Sequence, residues 1–259
     1  MSYIAHEETY KDHDIKIETD DDPQDPREWD NLGTMVCFHS RYTLGDAHDH
    51  KTGQALILAL VQEVTVEDKK VFGWWIDELD GWAYYNNLES LDDGEKILEK
   101  LLEIVHEHYI VLPLNLYDHS GISMSTSSFV GRAHHAEWDS GQVGWIYISK
   151  EDAKKEYGWK VLTAKRRALV EKYLTGEVEV YDAFLRGNVY GYTIEGELSD
   201  DSCWGFYPEG KNGYDYCLTE AKSIIDYEVS QKEIADAHAE IEASESSWSK
   251  LARIPEGAA

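Results

Sequence analysis

Tyr109-Ile110-Val111-Leu112-Pro113-Leu114-Asn115-Leu116-Tyr117 carries apolar side chains almost without interruption and no charge, which reads as a buried strand. Asp118-His119-Ser120-Gly121 opens a loop after it. A glycine-punctuated connection then leads to a second strand over Gln142–Ser149. Two strands flanking a polar loop put much of the apolar content and most of the chemically useful groups into one unit. Glycines in Ser140-Gly141-Gln142-Val143-Gly144-Trp145 fit a turn and a close backbone approach in the sheet. The spacing matches neither a P-loop nor a dinucleotide fingerprint.

The elements around this unit alternate irregularly. Thr34–Tyr42 reads as a strand that Gly45-Asp46 ends. Gln54–Val66 is apolar enough and long enough for a buried helix. Asp93–His108 is the clearest helix, with Ile97, Leu98, Leu101, Leu102 and Val105 on one stripe and Asp92-Asp93 at its start. Ser149 caps a further helix, with Asp152 three residues on as in a capping box. Thr163–Leu174 and Val178–Leu185 read as two helices separated by Gly176, and Gly187 ends the run. Val189–Glu197 and Cys203–Tyr207 form a hairpin across Gly196–Ser202. Asp215–Tyr227 begins a helix that continues to Trp248. The expected fold class is α+β, a mostly antiparallel sheet packed with several helices. The expected division is an acidic arm (1–30), in which Tyr3-Ile4 and Ile15-Lys16-Ile17 could still form a short edge strand, a core domain (31–227) and an acidic helical extension (228–259).

Charge excludes more than any motif does. Asp and Glu total 51 against 24 Lys and Arg, a formal charge of −27. Such a surface repels nucleic-acid phosphates and anionic membranes, so neither is an expected direct partner, and it attracts basic proteins. The nine Trp and 17 Tyr against five Phe favour half-buried and interfacial positions, since both types pair an apolar body with a polar tip. Three widely spaced cysteines (Cys37, Cys203, Cys217) without CxxC argue for a reducing compartment. With no apolar signal segment and no apolar run long enough to span a bilayer, the expected location is the cytoplasm.

Acidic side chains concentrate in residues 1–30, 77–95 and 220–245. Asp77, Glu78 and Asp80 stand beside Trp74 and Trp75, which would serve as aromatic anchors. Glu233, Asp236 and Glu240 recur at three and four residues and share one helical face. Carboxylates repeated on a rigid surface can imitate a row of phosphates and occupy a cleft built for nucleic acid. In the other direction, Lys150–Lys172 forms one basic island around Lys165-Arg166-Arg167, best read as neutralising a neighbouring acidic face.

A second class of reading uses histidine. Asp46, His48 and His50 alternate, so on extended chain they point one way and could share a metal, with His39 or His119 as a further ligand. Asp118 beside His119 could orient the imidazole for general acid–base chemistry, giving a small metal-dependent or His/Asp-using hydrolase. Neighbours along a strand face opposite ways, however, and no nucleophile elbow surrounds Ser120. Tandem His134-His135 is a further possible ligand pair. No cofactor is expected on the first reading.

Leu114 to Ser127, then Trp138 to Lys150, resemble a family of uncharacterised proteins carried by phages and mobile elements. Gly187-Asn188-Val189-Tyr190-Gly191-Tyr192 and Ser202-Cys203-Trp204-Gly205-Phe206-Tyr207 resemble its later blocks. The resemblance covers roughly residues 30–225 and carries no activity with it. It implies context: an acidic phage-borne protein acting against host machinery, such as a restriction or CRISPR nuclease.

Overall fold

In the computed structural model, residues 3–66, 94–196 and 200–251 are described. In chain order these give β1 (Ile4–Tyr10), β2 (His13–Thr19), a 3-10 turn (Pro26–Glu28), β3 (Thr34–Cys37), α1 (Gly53–Val66) and α2 (Gly94–His108). Then come β4 (Tyr109–Asp118), β5 (Ile122–Ser125), α3 (Ala136–Asp139), β6 (Ser140–Ser149), α4 (Lys150–Glu156) and α5 (Ala164–Leu185). The chain closes with β7 (Tyr190–Gly196), β8 (Asp201–Phe206) and α6 (Asp215–Leu251). Every paired strand among them is antiparallel, so the fold is α+β as expected. None of the helices described is long and apolar enough to cross a membrane.

The division of the chain departs from expectation. There are two sheets, β1-β2-β7-β8 and β3-β6-β4-β5, in two compact units. One unit is Met1–Gln24 with Gly187–Ala259; the other, Asp25–Arg186, is inserted between its β2 and β7. The acidic N-terminal segment is therefore a sheet hairpin rather than an arm. Ile15 and Ile17 alternate with Asp14, Lys16 and Glu18, and both isoleucines are buried with Tyr192, Ile194, Cys217, Ala221 and Ile225. Period-2 burial outweighs the charge, because the acids occupy positions that alternate with those isoleucines.

In the Asp25–Arg186 unit the sheet is covered on both faces. Ile110, Leu114, Leu116, Ile146 and Ile148 pack with Val170, Leu174, Val178 and Tyr181 of α5. Tyr109 and Val36 pack on the other side with Leu56, Ile57, Leu60 and Val61 of α1 and with Leu101, Ile104 and Val105 of α2. The odd-numbered Trp145 and Tyr147 belong to this second cluster and the even-numbered Ile146 and Ile148 to the first. That alternation is how one strand serves two cores. Tyr109 also donates to Glu63 Oε2 at 3.0 Å, and burial together with that carboxylate pushes its phenol upward.

Two boundaries moved for local reasons. Thr34–Tyr42 stops as a strand at Cys37, because His39 Nδ1 accepts from the backbone of Arg41 and Tyr42 and turns the chain. α5 runs unbroken through Gly176: Val170, Leu174, Val178 and Tyr181 form a single buried stripe, which outweighs the roughly 1 kcal/mol that an interior glycine costs. The Ser149 cap forms as expected, accepting from Asp152 N at 2.9 Å.

Cys37 and Cys217 are buried, and desolvation pushes each thiol up to about 12. Cys203 is exposed. Thiolate is the reacting form, so folded protein at pH ~8 should take up one alkyl group per chain from iodoacetamide, at Cys203. Denatured protein should take up three. Rapid labelling of Cys37 or Cys217, read by peptide mass, would contradict this packing.

Candidate functional site

The polar loop predicted after β4 is built by strand register. Tyr117 pairs with Ser140, so the residues that leave the end of β4 lie close to those that lead into β6. His119 Nδ1 accordingly donates to Asp139 Oδ2 at 2.8 Å, with both side chains partly exposed. A carboxylate at Nδ1 holds the proton there and leaves Nε2 as an acceptor. The His119 ring lies on Tyr117 at 5.9 Å, and Tyr117 stacks on Phe129 at 5.5 Å. Tyr117 also donates from its hydroxyl to His134 O at 2.9 Å, which ties the long connection to the strand end. His134 and His135 meet His119 at ring distances of 6.1 and 6.3 Å. Trp138, on the turn before β6, is 87% exposed.

The expected partnership of Asp118 with His119 does not form. Asp118 binds the Arg41 guanidinium and accepts from the Tyr42 hydroxyl at 3.4 Å. Asp139 takes the role instead, twenty residues away.

The Asp46–His48–His50 constellation is dissolved more completely. Both Asp46 oxygens are engaged by Arg27, Nε to Oδ1 at 2.7 Å and Nη2 to Oδ2 at 2.9 Å, and Oδ2 also accepts from Met35 N. Arg27 reaches Glu177 Oε2 with Nη1 at 3.0 Å and Gly33 O with Nη2 at 2.7 Å. Glu177 Oε1 accepts from Leu32 N at 2.7 Å. Four of the five guanidinium N–H positions face acceptors at 2.7 to 3.0 Å, with a bidentate grip on Asp46 that lysine does not supply. Nε2 of His48 donates to Cys37 O at 2.9 Å, and its ring stacks on His50 at 5.9 Å. The carboxylate thus belongs to the Arg27–Glu177 network and the imidazoles to a loop. No group of three metal-ligating side chains converges among the described residues, here or at His119.

Trp74, Trp75, Asp77, Glu78 and Asp80 lie outside the described residues. Glu233, Asp236 and Glu240 are on α6, a single helix of 37 residues, about 55 Å long. Its first half is anchored: Cys217, Ala221 and Ile225, four residues apart, are buried on the sheet of the first unit. Asp226 is paired with Lys11 and accepts from Tyr10, and Lys222 with Glu8, so the first half spends its charges on β1 and the turn after it. From residue 230 to residue 245 every position is exposed, whichever way it faces. That stretch carries Glu233, Asp236, Glu240, Glu242 and Glu245 against Lys232 alone.

No protein-family model matches the chain, and no curated protein or solved structure is significantly similar to it.

Proposed function

We propose that the protein is a non-enzymatic inhibitor that binds a basic nucleic-acid-binding protein of a host, such as a restriction or CRISPR nuclease, through acidic surface. The observation that carries this reading is the stretch of α6 from residue 230 to residue 245, exposed at every position, where five carboxylates stand on a helix that no described residue of its unit covers. A globular chain gains little from an isolated polar helix, because helical stability in water comes mostly from packing an amphipathic face. A helix held by its first half and free in its second is a rigid spacing for charge. Carboxylates so spaced steer a cationic cleft and release its counterions, as phosphates do.

The test is inhibition of DNA binding by a host nuclease of either type, measured by competition with labelled duplex. Wild-type protein should displace the duplex, and Glu233→Lys/Asp236→Lys/Glu240→Lys should raise the concentration needed by at least about tenfold, a loss of ~1.4 kcal/mol. The three positions are exposed, so the variant should keep its fold, which circular dichroism checks. If the triple variant competes as well as wild type, or if wild type leaves every nuclease tried on its duplex, the reading is wrong.

A further inference from the structure

Charge is only one of the patterns on the exposed half of α6. Tyr227, Ile234 and Ile241 recur every seven residues and are 66%, 48% and 56% exposed. Three residues after each stand Ser230, Ala237 and Ser244. In a heptad these are the two core positions, a large residue alternating with a small one that admits a close neighbour. Large apolar side chains in this register on open helix are a seam without its second strand. A merely solvated helix has no use for the period.

The positions flanking the seam say what the second strand is. On one side lie Glu233 and Glu240; on the other Gln231, His238 and Glu245. A second copy running parallel would set Glu240 against Glu245 of that copy, and one running antiparallel would set Glu233 and Glu240 of the two chains together. Like charges at these positions oppose pairing. Lysine or arginine on the incoming helix would meet a carboxylate on both sides.

We infer that residues 227–245 form half of a coiled coil completed by a basic amphipathic helix of the partner protein, with apolar residues in its core positions and Lys or Arg flanking them. This rests on the binding function proposed above and adds to it: the partner is gripped through a helix and not only screened by charge. Ile234 and Ile241 anchor the contact, and Glu233, Glu240 and Glu245 select its sign.

Two labelled synthetic helices of about three heptads test this against the whole protein by fluorescence anisotropy. Both carry lysine in every flanking position; one has leucine in its core positions and the other serine. The leucine helix should bind at least about tenfold more tightly, and it should keep most of that advantage when salt rises from ~50 to ~200 mM, which screens the charge contribution. Ile234→Ser/Ile241→Ser, both exposed and therefore harmless to the fold, should erase the difference while leaving the weak binding of the serine helix intact. Equal affinity for the two helices would overturn the coiled coil and leave acidic binding standing. Failure of both to bind would count against both readings. A wild-type dimer in sedimentation that becomes monomeric in the double variant would make the second strand another copy, and would overturn the inference as well.

Discussion

Arg27→Met is expected to remove about 3–5 kcal/mol from the stability of the Asp25–Arg186 unit, a large share of what a typical domain has. The guanidinium is 4% exposed and holds Asp46 and Glu177 together. Without it two carboxylates, 24% and 16% exposed, remain near each other with no cation between them. The usual remedy for a buried ion pair, an all-apolar replacement of similar volume, should fail here. Asp46 and Glu177 also accept from the backbone of Met35, Leu32 and Gly33. Removing them would orphan those N–H groups at about 1–3 kcal/mol each. Urea unfolding followed by tryptophan fluorescence measures the loss. Arg167→Met is the control: its pair with Glu171 lies one helical turn apart and about 40% exposed, and should be worth less than ~1 kcal/mol. Equal, small shifts in the two variants would mean that water reaches Asp46 and Glu177, and that the network is an ordinary surface feature.

Gly144→Ala is expected to do damage of another kind. A Cβ at Gly144 would lie 1.9 Å from the carbonyl oxygen of Val36 and 2.9 Å from Cys37 Cα, both backbone atoms of the neighbouring strand. Flexible side chains yield to such an intrusion, but a paired strand does not. Relief requires β3 to separate from β6, and with it Met35, Val36 and Cys37 to leave the two cores they help to fill. A loss on the order of 4 kcal/mol or more follows, the range reserved for substitutions that break a defined structural feature. Gly141→Ala, three residues earlier with nothing within 4 Å of its Cβ, should be tolerated. Hydrogen exchange at Met35 to Cys37 gives the local readout. Slow exchange there in Gly144→Ala would show that the strands accommodate the methyl group.

The contrast between those glycines indicates how far a sequence can be read. That glycine in the β6 segment serves close backbone approach was legible; which glycine does so depends on register, and register is a property of two strands at once. β3, β4, β6, β7 and β8 are legible because apolar runs and alternation are local signals; β5, only four residues of ISMS, carries neither. The α2 stripe and the Ser149 cap are legible too. Partners are not. Asp118 stood next to His119 in sequence and lost it to Asp139, because an antiparallel register reaches across twenty residues more easily than a strand bends back on its neighbour. Asp46 looked like a metal ligand among histidines, yet Arg27 and Glu177 claim that region from either side, and no local pattern announces a pair 150 residues apart. Arg27 itself gives no local signal: an arginine among acids suits an exposed pair as well as a buried fork. In the N-terminal segment the alternation of Ile15 and Ile17 allows an edge strand, but its charge hides that β2 lies inside the sheet between β1 and β7.

The insertion of one unit into the other also sets an order of events on the ribosome. β2 takes β7 as its neighbour, with Thr19 opposite Tyr190, so the first sheet stays half built until the chain has grown past the whole intervening unit. At the pace of translation that interval is on the order of 10 to 30 seconds. Through all of it the β1–β2 hairpin has an open edge and an uncovered apolar face, and a two-stranded hairpin alone is barely stable in water. The acids crowded into residues 1–30 keep such an unfinished edge from recruiting another chain. Their repulsion acts before the protein has a shape, and its beneficiary is the nascent chain.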